Sequence, residues 1–323
     1  MRPEKRGLDE SSPYNFEGRK MYDLIIIGAG PAGLTAGIYA SRERLGTLIL
    51  EKLAPGGQAA RALLIENYPG FPEGISGLEL TKRIKGQAES AGARIVTGEV
   101  TVLRKKGEGR FTVVAGQEYY GKTVIVASGS QPKRLGVPGE AELVGRGVSY
   151  CAICDGPFFR NRRIVVVGGG NTAVHDALFL SRLAQKVILI HRRNTLRASV
   201  RLQEKLFAEP KAEILWDSVL QEVIGKDKVI GVRVQNIKTG VVTQIPDDGV
   251  FVLVGAVPET NFLPPEVKVI NQGYIITDEV METLVSGLFA CGDCRQKVLR
   301  QVVTACAEGA LAVSSAQHYL EKL

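Results

Sequence analysis

The sequence predicts an α/β protein with two Rossmann-like three-layer dinucleotide-binding domains, the second inserted within the first. Two glycine-rich fingerprints, about 140 residues apart, each follow an apolar strand and open a helix. Two further glycine-bearing strands, at 123–132 and 250–260, mark where the chain leaves and re-enters the first domain. A chain of 323 residues is long enough for two domains of ordinary size.

The first fingerprint lies in YDLIIIGAGPAG, residues 22–33, which runs from an apolar strand into a helix that reaches about Arg44. Its first glycine permits a tight turn, its second lets a pyrophosphate approach the backbone, and its third lets helix and strand pack closely. Phosphate then binds at the helix N-terminus. The predicted nucleotide-binding residues of this turn are Gly28, Gly30, Pro31, Ala32 and Gly33.

The second fingerprint follows the strand of IVVVGGGNTAVHDALFLSRL and again opens a helix with an apolar face. Alanine takes the place of the third glycine, a substitution that this turn tolerates. The recurrence of strand, turn and helix predicts a second dinucleotide-binding domain of similar fold. The predicted contacts of this turn are Gly168, Gly170, Asn171, Thr172 and Ala173.

The strand after each fingerprint ends in residues of opposite charge. In the first domain it ends at Glu51, a carboxylate that accepts hydrogen bonds from an unphosphorylated adenosine ribose. In the second domain it ends in His191, Arg192 and Arg193, with Arg197 four residues further along. Guanidinium groups fork onto phosphate, so these residues predict an adenosine ribose that carries a 2′-phosphate, and therefore NADPH rather than NADH.

A cysteine pair lies between the first crossing and the second fingerprint, in SYCAICDGP at 149–157. Cys151 and Cys154 have the spacing of a small, exchangeable disulfide, and a CxxC near βαβ units indicates redox chemistry. The neighbouring Asp155 is a candidate for the proton transfer that thiolate chemistry requires.

These motifs resemble the low-molecular-weight thioredoxin reductases, class II members of the pyridine nucleotide-disulfide oxidoreductases, over nearly all of 22–323. The matching segments are GAGPAG (28–33), GGQ (56–58), ENYPGFPEGISG (66–77), CAICDG (151–156), GGGNTA (168–173), HRRNTLR (191–197) and GDCRQKVLRQVVTA (292–305). The resemblance implies that FAD binds in the first domain. The FAD-site residues that it implies outside the first turn are Glu51, Gly57, Gln58, Asn67, Gly292, Asp293, Arg300, Gln301 and Val302.

The resemblance also implies a reaction sequence. NADPH reduces FAD, reduced FAD opens the Cys151–Cys154 disulfide, and the dithiol reduces thioredoxin by exchange. It further implies that Cys154 lies against the flavin, that Cys151 attacks the partner disulfide, and that Asp155 is the acid. Because the cysteine pair and the nicotinamide belong to one domain, we expect this domain to rotate about residues 128–132 and 255–258. The family also predicts a homodimer.

Four segments make up the predicted domain organisation. Residues 1–20 are predicted to form a flexible N-terminal extension, 21–131 the first part of the FAD domain, 132–256 the NADPH domain with the CxxC, and 257–323 the second part of the FAD domain.

Composition argues against several other classes of protein. The net charge of +7 is scattered without a basic run, so we expect no nucleic-acid partner. No apolar stretch approaches the roughly 18 residues of a membrane span, and no signal-type segment opens the chain, so a cytoplasmic enzyme is predicted. Cys291 and Cys294 form a second CxxC, but they flank residues needed for flavin; we expect them and Cys306 to be packed thiols and predict no metal site.

Three alternatives to thioredoxin reduction stay open at this point. A dithiol oxidase of similar build would hand electrons to oxygen and would not need the arginine-rich NADPH segment. A ferredoxin-linked flavin reductase would lack either the working cysteine pair or that segment. A redox sensor that binds nucleotide without turnover is the third, although complete sites for donor, relay and acceptor seldom serve binding alone.

Overall fold

The computed structural model describes residues 20–62, 64–270 and 272–323. The predicted extension at 1–20 lies outside these residues, apart from Lys20. The chain divides into two compact units: unit 1 comprises residues up to Gln131 together with Val257–Leu323, and unit 2 comprises Pro132–Ala256. Unit 2 is therefore an insertion within unit 1, which confirms the predicted class of fold.

The helices and strands follow one another in three stretches of chain. The first contains β1 (Met21–Ile27), α1 (Pro31–Arg42), β2 (Thr47–Glu51), α2 (Gly77–Ser90), β3 (Arg94–Thr97), β4 (Val102–Gly107), β5 (Arg110–Ala115), β6 (Gln117–Val126) and β7 (Ser130–Pro132). The second contains β8 (Val148–Ser149), α3 (Ala152–Asp155), β9 (Arg163–Val167), α4 (Asn171–Ser181), β10 (Lys186–Ile190), α5 (Val200–Phe207), β11 (Ala212–Leu215), β12 (Ser218–Gly225), β13 (Val229–Asn236), β14 (Val242–Ile245) and β15 (Gly249–Val252). The third contains β16 (Ala256–Pro258), β17 (Leu288–Ala290) and α6 (Val302–Leu320).

Unit 1 is built on a seven-stranded sheet in the order β3-β2-β1-β6-β5-β4, with β17 also paired to β6. The pairs among β3, β2, β1, β6 and β17 are parallel, whereas β4 and β5 form an antiparallel hairpin beside β6. In the register of β1 and β2, Ile27 lies opposite Leu50. The fingerprint turn and Glu51 consequently leave the sheet at the same edge, where parallel α/β sheets bind their ligands.

Alternating residues of β1 explain the three layers of unit 1. Leu24 and Ile26 point into a core that includes residues of α1, α2 and α6. Ile25 and Ile27 point into a second core with residues of β4, β5 and the segment 262–285. Because successive side chains of a strand point to opposite faces, a run of apolar residues is what a strand buried on both faces requires.

Unit 2 repeats this plan. Its five-stranded parallel sheet has the order β11-β10-β9-β15-β8, and a separate antiparallel sheet has the order β12-β13-β14. Ile164 and Val166 of β9 pack with residues of α3, α4 and α5, while Val165 and Val167 pack with residues of β12 and β13. The second fingerprint therefore also lies at the carboxyl edge of a parallel sheet that is covered on both faces.

Two short strands join the units, and these strands, β7 and β16, pair with each other. Glycines with left-handed backbone stand beside both of them, Gly129 with φ of +71° and Gly255 with φ of +111°. No helix in the described part of the chain combines the length and the hydrophobicity that a membrane crossing needs.

Candidate nucleotide and disulfide sites

Two glycines of the first fingerprint turn, in unit 1, leave no room for a side chain, and a third faces open space. Gly28 has φ of +103°, and a Cβ there would lie 2.4 Å from the carbonyl oxygen of Ala127. A Cβ at Gly33 would lie 1.9 Å from the carbonyl oxygen of Gly28. Gly30 caps α1 and is open, because the nearest atom to a Cβ there is 4.0 Å away. The open side of the turn is where a pyrophosphate approaches in this fold.

Two distant segments meet this turn. A Cβ on Gly57, whose φ is +57°, would lie 3.1 Å from the Cα of Gly30. A Cβ on Gly292, whose φ is +75°, would lie 2.9 Å from the Cβ of Ala32. The structure thus brings the predicted residues of three separate motifs around one helix N-terminus.

Polar side chains extend this site along unit 1. One oxygen of Glu51 accepts a hydrogen bond from the N–H of Ala29 at 2.7 Å, and each carboxylate oxygen has a further lone pair for a ribose hydroxyl. The Asn67 amide donates to Gln301 Oε1 at 3.1 Å, across 234 residues of sequence. The Gln58 amide donates to the side chain of Gln131.

Two buried polar atoms at the Gly292 end make no hydrogen bond with described residues. They are Asp293 Oδ1 and Arg300 Nε. Burial raises the pKa of the Asp293 carboxyl, while the nearby cations Lys297 and Arg300 lower it. The Arg300 guanidinium lies over the ring of Tyr274, 4.3 Å from its centroid. Buried polar groups are normally paired, so these atoms indicate a place for a polar ligand.

A cluster of three charged side chains, Glu308, Arg295 and Lys297, lies against the Gly292 turn. Glu308 of α6 accepts hydrogen bonds from the Gly292 N–H at 2.8 Å and from Arg295 at 2.9 Å. It also pairs with Lys297 at 3.1 Å, and the three charged side chains are between 5% and 13% exposed. Sequence reasoning missed Glu308. The available signal was a single acid within the otherwise apolar helical stretch VVTACAEGALAV.

The second fingerprint turn, in unit 2, is packed on the ring of His191. A Cβ on Gly169 would lie 2.2 Å from this ring, whose Nδ1 is 2.8 Å from the Gly168 carbonyl and whose Nε2 is 2.9 Å from the Thr195 carbonyl. His191 was predicted to contact the nucleotide beside the arginines, yet its side chain is buried and both ring nitrogens face backbone oxygens. The structure therefore supports a role in holding the turn.

The other residues of this turn are accessible at its surface, except for Ala173, which is buried in the packing of α4. Gly170 caps α4 with nothing within 4 Å of a Cβ placed there, so the turn is open to a ligand. Ala173 is fully buried, and a Cβ on Gly168 would lie 2.4 Å from the Cβ of Ala173. The Asn171 side chain accepts a hydrogen bond from the Ser199 N–H at 2.8 Å, and Thr172 is exposed.

The three arginines follow β10 in an exposed segment. Arg192, Arg193 and Arg197 are all exposed, and none forms an ion pair with another described residue. The backbone N–H of Arg197 donates to the carbonyl of Gly169 at 2.8 Å, which ties the segment to the fingerprint turn. Three exposed guanidinium groups beside the turn, without ion-pair partners among the described residues, are chemically suited to attract a phosphate.

The cysteine pair of unit 2 is joined as a disulfide, with the two Cα atoms 5.3 Å apart. Cys151 caps the short helix α3, and the N–H of Cys154 donates to Cys151 Sγ at 3.2 Å. At the end of this helix lies Asp155, and burial raises the pKa of its carboxyl. Its Oδ2 lies 2.5 Å from the hydroxyl of Ser149, a residue to which sequence reasoning gave no role.

The remaining cysteines are separated from this chemistry. Cys291 and Cys294 are fully buried free thiols that belong to different apolar cores of unit 1, and burial raises the pKa of both. Cys306 is a half-buried free thiol of α6. Over the described ranges, no group of three or more His, Cys, Asp or Glu side chains is arranged to hold a metal ion.

Comparison with known proteins identifies the family of the chain. The family model described as pyridine nucleotide-disulphide oxidoreductase matches residues 22–309. The chain is 46% identical to a thioredoxin reductase of Treponema pallidum, over 94% of this chain and 98% of that protein. It is 44% identical to a thioredoxin reductase of Bacillus subtilis, over 94% and 96% of the two chains.

A solved structure gives the same result. The crystal structure of a thioredoxin reductase from Streptococcus pyogenes matches with a TM-score of 0.89 at 45% identity, covering 94% of this chain and 99% of that one. The family model covers well over half of the residues, and the relatives are matched over almost their full length. The chain belongs to the pyridine nucleotide-disulphide oxidoreductase family.

Proposed function

We propose that the protein is an NADPH-dependent FAD disulfide oxidoreductase that reduces thioredoxin. The observation that carries this proposal is the Cys151–Cys154 disulfide beside the half-buried carboxyl of Asp155, in the same unit as an arginine-flanked nucleotide turn. Relatives at 42–46% identity are named thioredoxin reductase, which supports thioredoxin as the disulfide substrate.

The residues of unit 1 fit FAD. The glycine cradle around the N-terminus of α1 suits its pyrophosphate, and Glu51 suits the ribose of its adenosine. The two buried atoms without a hydrogen bond, Asp293 Oδ1 and Arg300 Nε, supply a polar acceptor and a donor. We assign Gly57, Gln58, Asn67, Gln301 and Val302 to the same site because their segments meet or neighbour this cradle.

The residues of unit 2 fit NADPH. Gly168, Gly170, Asn171, Thr172 and Ala173 form the turn at the N-terminus of α4. The exposed guanidinium groups of the 192–197 segment would hold the 2′-phosphate that distinguishes NADPH from NADH. In this proposal His191 supports the turn from within the core.

Bound FAD supplies the chemistry that links a hydride donor to a disulfide, which no side chain provides. The protein supplies the acceptor and the proton. Cys154 is assigned to the sulfur that faces the flavin, and Cys151 to the nucleophile that attacks the thioredoxin disulfide. Asp155 donates the proton that converts one of the released thiolates to a thiol.

A spectroscopic assay tests this function against its rivals. Purified protein should lose its flavin absorbance rapidly when NADPH is added without oxygen, and should then reduce added thioredoxin. A dithiol oxidase would not be bleached by NADPH, and a ferredoxin-dependent enzyme would need ferredoxin for the same reduction. A nucleotide-binding redox sensor would bind NADPH without turnover.

Replacing Glu308 with glutamine is expected to weaken the retention of FAD at least about tenfold. The change removes the charge that pairs with Arg295 and Lys297. Removing one partner of a buried ion pair lowers the free energy of unfolding by about 3–5 kcal/mol. Part of this loss should loosen the Gly292 turn. The measurement is the dissociation constant for FAD, from recovery of flavin fluorescence. Glu321→Gln, an exposed acid at the end of α6, is the control. Equal retention in both variants would contradict this role.

We also propose that unit 2 rotates about residues 128–132 and 255–258 during turnover. The support is chemical: the hydride donor and the disulfide belong to one unit, and both must reach the same flavin. The left-handed glycines beside both joining strands suit such hinges, because a Cβ on Gly129 would meet nothing within 4 Å and one on Gly255 only the Lys133 side chain, at 3.8 Å.

A covalent cross-link between the two units is therefore expected to stop turnover. It should leave one half-reaction intact, either reduction of flavin by NADPH or electron exchange between flavin and disulfide. Single-turnover absorbance measurements separate the two. A cross-link between two residues of the same unit is the control. Full turnover of the inter-unit cross-linked protein would exclude the rotation.

The oligomeric state and the cellular compartment of the protein are also proposed. We propose a homodimer, which an exposed stripe on α6 supports: Val303, Ala307 and Leu311 are exposed one or two turns apart on that helix. We propose the cytoplasm as the compartment, because three free cysteines and one exchangeable disulfide suit a reducing environment.

A further inference from the structure

Ser149 ends β8 two residues before the first redox cysteine, and its side chain belongs to a small polar cluster. Ser149 is only 4% exposed. Its Oγ lies 2.5 Å from Asp155 Oδ2, 3.1 Å from the Cys151 nitrogen and 3.3 Å from the Cys151 carbonyl oxygen. The buried Ser149 hydroxyl therefore contacts both the Asp155 carboxyl and the backbone of Cys151.

The hydrogen-bonding capacity of this hydroxyl matches both protonation states of Asp155. A serine hydroxyl has one hydrogen and two lone pairs, and the Cys151 N–H occupies one of these lone pairs. When Asp155 is ionised, the Ser149 hydrogen is donated to Oδ2. When Asp155 is protonated, its carboxyl donates to Ser149 Oγ, and the Ser149 hydrogen turns to the Cys151 carbonyl. No buried polar atom of the cluster loses its partner in either state.

The surroundings of Asp155 make the hydrogen bond from Ser149 a main influence on the pKa of its carboxyl. Burial raises the pKa of the Asp155 carboxyl, and the hydrogen bond from Ser149 lowers it. Among the described side chains, no charged group contributes to the shift. A half-buried carboxylate is stabilised by a hydrogen-bond donor, and Ser149 supplies that donor to Asp155.

We propose that Ser149 is a positioning residue that holds the Asp155 carboxyl while it releases and regains a proton. This inference rests on the proposed function. Bound FAD would supply the two electrons that open the Cys151–Cys154 bond and leave two thiolates. Asp155 gives its proton to one thiolate, which becomes a thiol, and the resulting carboxylate later takes a proton from water.

Ser149→Ala is expected to lower kcat for thioredoxin reduction about tenfold or more, while the KM for thioredoxin changes little. The protonated carboxyl is the active form, so the rate falls as pH rises through the pKa of Asp155. Without the donated hydrogen bond the carboxylate is less stable, and this alkaline limb of the kcat profile moves to higher pH. Reduction of FAD by NADPH should be unchanged, which also shows that the variant is folded.

Two further variants decide whether the effect belongs to the hydroxyl. Ser149→Thr keeps the hydroxyl and should restore both the rate and the position of the alkaline limb. Ser218→Ala is the matched control, because Ser218 is also buried in unit 2 and its hydroxyl donates to a backbone carbonyl, that of Trp216, at 2.7 Å. It should leave both measurements unchanged.

The outcomes separate this inference from the function on which it rests. If the unaltered protein fails to reduce thioredoxin with NADPH, the proposed function is wrong. If the unaltered protein turns over and Ser149→Ala lowers the rate without moving the alkaline limb, or leaves both unchanged, the positioning role is wrong.

Discussion

Replacing Cys151 with serine is expected to abolish thioredoxin reduction while NADPH still bleaches the flavin. The loss should be on the order of 1,000-fold or more, because a serine hydroxyl neither forms a disulfide with Cys154 nor attacks the disulfide of thioredoxin as a thiolate does. The donor half of the reaction involves no sulfur and should be intact. Stopped-flow absorbance of the flavin measures that half, and NADPH consumption in the presence of thioredoxin measures the whole cycle.

The control for this experiment is Cys306→Ser. Cys306 is a half-buried free thiol of α6 in unit 1, outside the redox pair. Its replacement should keep thioredoxin reduction near the unaltered level. Substantial thioredoxin reduction by the Cys151→Ser protein would show that another group carries electrons to the partner.

Replacing both Arg192 and Arg193 with alanine is expected to raise the KM for NADPH roughly 100-fold and to leave the KM for NADH nearly unchanged. Hydrogen bonds to charged groups contribute about 1.5–3 kcal/mol each. Because Arg192 and Arg193 are exposed to water, we expect each to contribute near the lower end of this range. A total of about 3 kcal/mol corresponds to this factor. The ratio of kcat/KM for the two nucleotides is the measurement, and kcat should change little because the proposed contact is with the adenosine end, away from the hydride.

Two further proteins make this experiment specific. Arg192→Lys with Arg193→Lys keeps the charge but loses the planar fork, so it should give an intermediate selectivity. Arg162→Ala is the matched control, since Arg162 is an exposed arginine of unit 2 that pairs with Asp248 and precedes β9, at the opposite edge of the sheet from the turn. An equal loss of affinity for both nucleotides in the double alanine variant would show that the arginines do not read the 2′-phosphate.

The local features of both sites could be predicted because each depends on residues close together in sequence. The two fingerprints contain strand, glycine turn and helix within about twelve residues, and the structure has β1 followed by α1 and β9 followed by α4 as expected. The predicted strand before Glu51 is β2, Thr47–Glu51. The spacing of Cys151 and Cys154 similarly allows a disulfide within one turn of backbone, and that disulfide is present.

Contacts between distant residues were beyond such reasoning. Glu308 reaches the Gly292 N–H only because α6 folds back beneath the turn, and Asn67 meets Gln301 across 234 residues. The Arg300 guanidinium was expected at the flavin site, but its packing over Tyr274 was not. The orientation of His191, with its ring buried under Gly169, also depends on how β10 lies beside β9.

The sequence by itself determined the two nucleotide turns, the insertion of one domain within the other, the disulfide spacing and the opposite charges after the two fingerprints. These features are encoded by short-range patterns of hydrophobicity, glycine and charge. Only the tertiary structure decided which polar groups support those turns and which partner holds the Asp155 carboxyl. The physical reason is that hydrogen bonds and burial depend on the distance between atoms in space, and chain folding sets that distance independently of separation along the sequence.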